Sequence, residues 1–288
     1  MDIKCSALIG NPVNHSVSDI MFNALIHSSE FYYSYRHDKI NVEPDKLEDT
    51  LAMLSRNKYV GLNVTLPYKR SIIKYVDQLD TTAAHIGAVN TIKINNNSLV
   101  GFNTDWFGLY KPLLIHSKKN EPVICIFGTG GASRAAIYAA RKISNDVYVF
   151  YRESPNVSNS TQDLLQRQKD LRITLLPYRN VKDIVNRSDI IINTTSTGMK
   201  GNIETTPFNI EVLENINMKK KIFIEAVFNP VETTLGKFFT GSGAKTIDGL
   251  WMMIYQGILA LSIWLERDIH IKNEDLKKIH KLLMEAIS

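Results

Sequence analysis

One segment limits the possible folds more than any other: residues 123–143, VICIFGTGGASRAAIYAARKI, where an apolar run, a glycine turn and an alanine-rich stretch follow in direct succession. The apolar run has the length and Val/Ile content of a buried strand, and Ser133 to Ile143 reads as a helix. A strand that passes through glycines into a helix is a βα unit, and it turns the free N–H groups and positive end of the helix toward the loop. Continuous apolar strand runs of this kind suit a parallel sheet covered by helices on both faces. Gly128 suits the tight turn, Thr129 follows it, Gly130 allows close backbone approach, and Gly131 and Ala132 keep the helix start small. Against the G-x-G-x-x-G pattern the third position is Ser133, a departure.

The alternation continues on either side. Downstream, VYVFY, ITLLP, IIINTT and IFIEAVF are apolar runs of strand length, separated by helical candidates over residues 162–168, 181–186 and 210–217. Upstream, CSALIG, FYYSYR and YVGLNVTL alternate with helical patterns over 18–27, 42–54 and 75–86, and AVNTIKI with LVGFNT forms a hairpin across the Asn-rich turn 95–98. The polar segment 117–122 marks a domain boundary, since 288 residues are close to two domains of roughly 150. Residues 250–287 carry two or three helical patterns with no strand signal and could pack on either domain.

Composition narrows the function classes. Hydrophobic residues at 44% and charged residues at 22% are ordinary globular values and exclude a mainly disordered chain. The net charge of +5, from 34 basic and 29 acidic residues, is scattered rather than gathered into a stripe, so nucleic acid is not the expected partner. The strongest apolar run, Leu250 to Trp264, is 15 residues and short of a membrane span. No secretory leader pattern opens the chain, and its two cysteines, Cys5 and Cys125, lie in apolar runs, which together point to a reducing cytoplasmic setting. Neither the cysteines nor the seven histidines show metal-ligand spacing, so no metal is expected. His15 is assigned no role.

Two groups of residues bear on ligands. The glycine loop has two readings, a bare turn or a nucleotide site, and the second strand VYVFY, ending some twenty residues later, favours the nucleotide. At the tip of that strand stand Tyr151, Arg152 and Glu153. Arg152 suits a ribose 2′-phosphate and Glu153 a free 2′-hydroxyl, so charge does not choose between NADP and NAD. The first half supplies the other group: Ser16 and Ser18 in HSVSD, Asn63, Thr65 and Lys69 in GLNVTLPYK, Asn90 in AVNT and Asp105 in GFNTD, each at a strand end. Singly these are helix caps, solvated charges or Asx-turns; together they offer hydroxyl donors for a carboxylate, amides for hydroxyls, and a lysine with a carboxylate.

The motifs NHSVSD, GLNVTLPYK, IGAVNTI, GFNTD, FGTGGASRA, NTTSTGM and KTIDGLWMMIYQG occur in an order, spread over nearly the whole chain, that resembles the shikimate and quinate dehydrogenase family. The resemblance implies an N-terminal α/β substrate domain, a C-terminal Rossmann domain that binds a dinucleotide, and C-terminal helices returning to the first domain: residues 1–116 with 249–288, and 117–248. It implies reduction of 3-dehydroshikimate to shikimate with NADP, or with NAD in a quinate-using member, on a small-molecule substrate and without nucleic acid or membrane; a monomer and a homodimer both fit. Ser16, Ser18 and Thr65 would hold the substrate carboxylate, and Asn90 and Gln256 the ring hydroxyls, with Asn63 beside them. Lys69 would act as acid or as electrostatic anchor for the developing alkoxide, oriented by Asp105. Thr194, Ser196 and Met199, after Asn193, would line the nicotinamide side, with Gly249 also near the cofactor. Phe228 stands where the family usually carries a tyrosine that reaches the substrate, which implies one missing hydrogen bond. Tyr151 and Glu153 replace the Asn and Thr of the family's usual Asn-Arg-Thr, whereas Asn63 favours shikimate over quinate.

Overall fold

The computed structural model describes residues 3–29, 34–96, 98–154 and 158–287, and the chain separates into two units, Met1–Thr104 with Ile254–Ala286 and Asp105–Met253 with Ile287–Ser288. The first unit begins with strand β1 (Lys4–Gly10), helix α1 (Ser18–Ser28), strand β2 (Tyr35–Asn41), helix α2 (Leu47–Arg56) and strand β3 (Tyr59–Val64). Strand β4 (Gln78–Leu79), helix α3 (Thr81–Ile86) and the hairpin of β5 (Thr91–Asn95) and β6 (Ser98–Phe102) complete it. Part of the FYYSYR run lies outside the described residues. The sheet order is β2-β1-β3-β5-β6-β4, with β1 parallel to β2 and β3, and β5 antiparallel to both neighbours. Alternate residues Ala7, Ile9, Leu62, Val64 and Ile92 pack on Leu47, Leu51 and Leu54 of α2, the period-2 and period-3.6 patterns meeting in one core.

The second unit opens with helix α4 (Asp105–His116), followed by β7 (Ile124–Phe127), α5 (Gly131–Arg141), β8 (Val147–Tyr151), α6 (Asn159–Leu171) and β9 (Thr174–Pro177). Then come α7 (Val181–Arg187), β10 (Ile190–Asn193), β11 (Ile222–Glu225), α8 (Thr234–Gly241) and β12 (Lys245–Ile247). Every pairing is parallel and the order is β12-β11-β10-β7-β8-β9, the doubly wound dinucleotide-fold order with its reversal between β7 and β10. Ile124 and Ile126 face Ala135, Ala136, Ala139 and Ala140 of α5, whereas Cys125 and Phe127 face the cluster of Val181, Val185, Leu235 and Phe239. Both faces of the sheet are therefore covered, which is why its strands carry no polar alternation.

Helices α9 (Gly249–Leu265) and α10 (Asn273–Ile287) end the chain, and from Ile254 to Ala286 they belong to the first unit. On α9, Trp264 lies directly over Gly61 of β3 and donates its indole N–H to the Ile92 carbonyl at 2.9 Å. Among the described residues no helix is long and apolar enough to cross a membrane.

Four features differ from the sequence expectation, each for a local reason. The helix expected over 75–86 is only α3: Asp80 caps it by accepting from the Ala83 amide at 2.8 Å, and Asp77 instead accepts from the Leu99 amide beside β6 at 2.7 Å. Residues 210–217 form only a 3₁₀ turn at Ile210–Leu213, capped by Glu214 and followed by Asn215 at a left-handed φ of 69°. Helices α4 and α8 and strand β12 go beyond the sequence expectation; α4 contains Gly108 and Pro112, which blur a helical pattern. The unit boundary lies before α4, not after residue 116, because Leu109 and Leu113 pack with Ala135 and Ala136 of α5.

A buried carboxylate staples the strand ends of the second unit. Glu225, 2% exposed, accepts from Asn193 Nδ2 at 2.9 and 3.1 Å, from the Val227 amide at 3.0 Å and from Thr233 Oγ1 at 2.8 Å. Burial nevertheless pushes its carboxyl up to about 7 from 4.5, against those three donors.

Two outcomes follow. A Cβ on Gly61 would lie 2.1 Å from the Trp264 ring and 2.6 Å from the Ile92 oxygen, so Gly61→Ala should cost about 1–3 kcal/mol, read by thermal unfolding as a fall of several degrees in Tm. Because the folded pKa of Glu225 is raised, its contribution is fully present below pH about 4.5 and is lost as pH rises through about 7. Glu225→Gln should therefore gain on the wild type over that window, by on the order of 3 kcal/mol at pH 8; equal pH slopes in denaturant titrations would refute this.

Candidate active site

Antiparallel β5 brings its start to the edge where parallel β3 ends, so Asn63 pairs in register with Thr91, and Thr91 with Phe102 of β6. Asn63, Asn90, Thr91 and Thr104 therefore converge, all buried. Asn90 Nδ2 donates to Thr104 Oγ1 at 3.0 Å, and Asn90 Oδ1 accepts from the Thr104 amide at 2.6 Å and from Thr91 Oγ1 at 3.1 Å. Gln256, from α9, joins through Thr104 Oγ1 to its Oε1 at 3.2 Å. Asn63 Nδ2 reaches the Asn90 carbonyl at 3.4 Å and Thr91 Oγ1 at 3.3 Å, but its Oδ1 is buried with no hydrogen-bond partner. An unanswered buried acceptor costs free energy, and a ligand hydroxyl would answer it. Thr91 and Thr104 were not among the expected site residues although they stand in the AVNT and GFNT runs; their signal is the single hydroxyl that follows the asparagine in each.

The same unit also carries Thr65, Lys69, Ser16 and Ser18. Thr65 follows β3, its amide donating to the Ile9 carbonyl at 2.9 Å, and a Cβ on Gly10 would come within 2.4 Å of its methyl. Lys69, half-buried, accepts at its carbonyl from the Val89 amide at 2.7 Å, which sets it one residue from Asn90. Ser16 Oγ accepts from the Ser18 amide at 3.2 Å, and Lys39 Nζ donates to the Ser16 carbonyl at 2.9 Å while pairing with Asp19 at 3.1 Å. Ser18 does not cap α1; its hydroxyl lies 3.2 Å from His37 Nε2. Asp105, 4% exposed, begins α4 in the second unit, directly after Thr104. Phe228 also belongs to the second unit, half-buried beyond β11.

The glycine loop of the second unit has the properties of an anion cradle. Gly128 sits at φ 106°, where a side chain is strained, and its would-be Cβ lies 3.1 Å from Thr194 Oγ1. Gly130, the N-cap of α5, has open space where its Cβ would be. The first-turn N–H groups that follow, from Gly131 and Ala132 onward, have no acceptor within the helix. Ser133, at the third glycine position, is fully buried and donates Oγ–H to the Gly128 carbonyl at 2.7 Å, so it closes the loop instead of opening it. Thr129 is tied to α6, its hydroxyl 2.7 Å from Thr161 Oγ1 and its carbonyl accepting from Ser160 at 2.5 Å. These residues fit a dinucleotide: a small, braced loop with an open glycine and free amides at a helix start.

Beside it, Tyr151 is half-buried, and Arg152 and Glu153 are exposed. Glu153 is ion-paired with Arg179, so the acidic group that would repel a 2′-phosphate is answered by a second guanidinium. In the loop after β10, Asn193 and Thr194 turn inward: Asn193 holds Glu225, and Thr194 donates Oγ–H to the Phe127 carbonyl at 2.6 Å. Ser196 is exposed and Met199 half-buried. Gly249 is required by packing, since a Cβ there would lie 2.3 Å from the Val227 oxygen.

Known proteins share this organisation. The family model described as the shikimate dehydrogenase substrate binding domain matches residues 8–92. A protein of Methanococcus maripaludis named shikimate dehydrogenase (NADP(+)) is 36% identical over 95% of this chain and 96% of its own length. Among solved structures, a shikimate dehydrogenase in complex with NADP+ superimposes with a TM-score of 0.84 at 30% identity, covering 99% of this chain and 96% of the other. The shikimate dehydrogenase of Aquifex aeolicus does so with a TM-score of 0.82 at 30% identity, covering 97% of each chain. With a relative this similar along nearly its whole length, and a solved structure that superimposes over 99% of it, the chain belongs to the shikimate dehydrogenase family.

Proposed function

We propose that the protein is a shikimate dehydrogenase that reversibly reduces the ketone of 3-dehydroshikimate to the alcohol of shikimate, with NADPH as the reductant, acting in the cytoplasm on this small molecule. The observation that carries the reading is the buried Asn63 Oδ1, without a partner in a cluster whose other amides and hydroxyls are engaged. That arrangement suits a ligand rich in hydroxyls. The named relatives supply the class of acid and cofactor.

In this reading Ser16, Ser18 and Thr65 donate to the carboxylate, and Asn63, Asn90 and Gln256 bind the ring hydroxyls. Phe228 offers an apolar edge to the substrate in place of one hydrogen bond. The loop Gly128, Thr129, Gly130, Gly131 and Ala132 holds the pyrophosphate of the cofactor through backbone N–H groups. Arg152 takes the 2′-phosphate, with Tyr151 and Glu153 flanking it; Thr194, Ser196, Met199 and Gly249 border the nicotinamide end. Bound NADPH supplies the hydride. Negative charge then develops on the substrate oxygen, and Lys69 stabilises that charge with its ammonium and returns a proton to it, while Asp105 orients the lysine.

Initial rates with shikimate or quinate, each with NADP and NAD, test the reading directly: shikimate with NADP should dominate, and no turnover in any pairing would leave a ligand-binding protein without activity. Lys69→Ala should lower kcat by two to four orders of magnitude with the KM for NADP within about twofold. Arg152→Ala should raise the KM for NADP about tenfold or more and leave that for NAD unchanged, since only the phosphate loses a charged donor.

A further inference from the structure

His37 lies on β2 in register with Ser6 of β1. Its Nδ1 is 2.7 Å from Ser6 Oγ, which is 2.5 Å from the Tyr35 hydroxyl, and its Nε2 is 3.2 Å from Ser18 Oγ. Four side chains from two strands and α1 thus form one buried file that ends at Ser18; Ser6 is 0%, Ser18 4% and His37 5% exposed. The imidazole packs against two rings, 4.4 Å from Phe22 and 6.4 Å from Trp264. Burial, with Lys39 acting in the same direction, outweighs Asp19 and Asp38, which favour the charged form, and lowers its pKa to about 3. The ring is neutral at physiological pH, so one nitrogen donates and the other accepts.

We infer that His37 is a positioning residue that makes the Ser18 hydroxyl a committed donor to the substrate carboxylate, by holding the tautomer with its proton on Nε2. The inference rests on the reading of Ser18 as a carboxylate contact. The proton count admits two polarities. In one, Tyr35 O–H donates to Ser6, Ser6 O–H donates to Nδ1, Nε2–H donates to Ser18 Oγ, and the Ser18 proton is left for the ligand. In the other, Ser18 donates into Nε2 and presents only oxygen lone pairs to an anion, which repel it. Burial raises the Tyr35 pKa, so its hydroxyl stays protonated and can head the first file. The Ser16 oxygen already accepts from the Ser18 amide, which leaves its own proton available as a second donor. A carboxylate selects the first polarity because it takes both protons.

In the protein saturated with shikimate, two-bond ¹H–¹⁵N correlations of the imidazole should show the His37 proton on Nε2; a proton on Nδ1 would overturn the inference whatever the variants do. His37→Phe keeps the ring packing and should raise the KM for shikimate about tenfold, with kcat and the KM for NADP within about twofold. Ser18→Ala should raise that KM to a similar degree, and the double variant no further, since His37 acts only through Ser18. Additive losses, or a kcat that falls with His37→Phe, would make His37 merely structural. An unchanged KM in Ser18→Ala refutes the assignment of Ser18 and the inference with it, whereas a raised KM there beside an unchanged one in His37→Phe refutes the inference alone.

Discussion

The carboxamide of Asn90 is the interaction on which the first unit's site depends. Its oxygen receives the Thr104 amide and the Thr91 hydroxyl, and its nitrogen donates to Thr104. A buried amide left unpaired costs on the order of 1–3 kcal/mol, so these bonds lock the start of β5 to the chain leaving β6. The Asn90 carbonyl also accepts from the Val64 amide at 2.8 Å and from Asn63, which ties in the end of β3. Strand polarity makes this possible: β3 ends, β5 begins and β6 ends at one edge only because β5 runs antiparallel.

The second unit solves a different problem, keeping a loop open at the carboxyl edge of a parallel sheet. Several side chains that face this edge are used for bracing: Ser133 on Gly128, Thr194 on Phe127, Asn193 on Glu225. What is left for a ligand is backbone N–H and the unfilled space at Gly130. That division suits an anion whose recognition is geometric, since amides at a helix start bind phosphate without a side chain. Side-chain charge near this edge comes from the tip of β8, where Arg152 is followed by Glu153, ion-paired with Arg179.

Much of the architecture was legible in the residues because its signals are local. Strand runs such as ICIF and VYVF are apolar throughout, the glycine loop is contiguous, and Ala135 to Ala140 mark a helix pressed on a sheet. What escaped depends on context. Asp77 and Asp80 look helix-compatible until one is drawn to Leu99 and the other becomes a cap. Pro112 argues against α4, yet the helix forms because Leu109 and Leu113 find α5; packing outweighs propensity there. Glu153, alone in the sequence, argues against a phosphate, and only its partner 26 residues away reverses that.

The sequence by itself determined the fold class and the kind of chemistry, since periodicity, glycine spacing and contiguous polar motifs are properties of neighbouring residues. Tertiary structure decided which polar groups are available. It spends Asn193 and Thr194 on the scaffold, leaves Asn63 Oδ1 unanswered, and sets His37, silent as a residue type, between Ser6 and Ser18. The physical reason is that a hydrogen-bonding group's role depends on what remains unpaired after the chain has closed around it, and that count is taken across strands far apart in sequence.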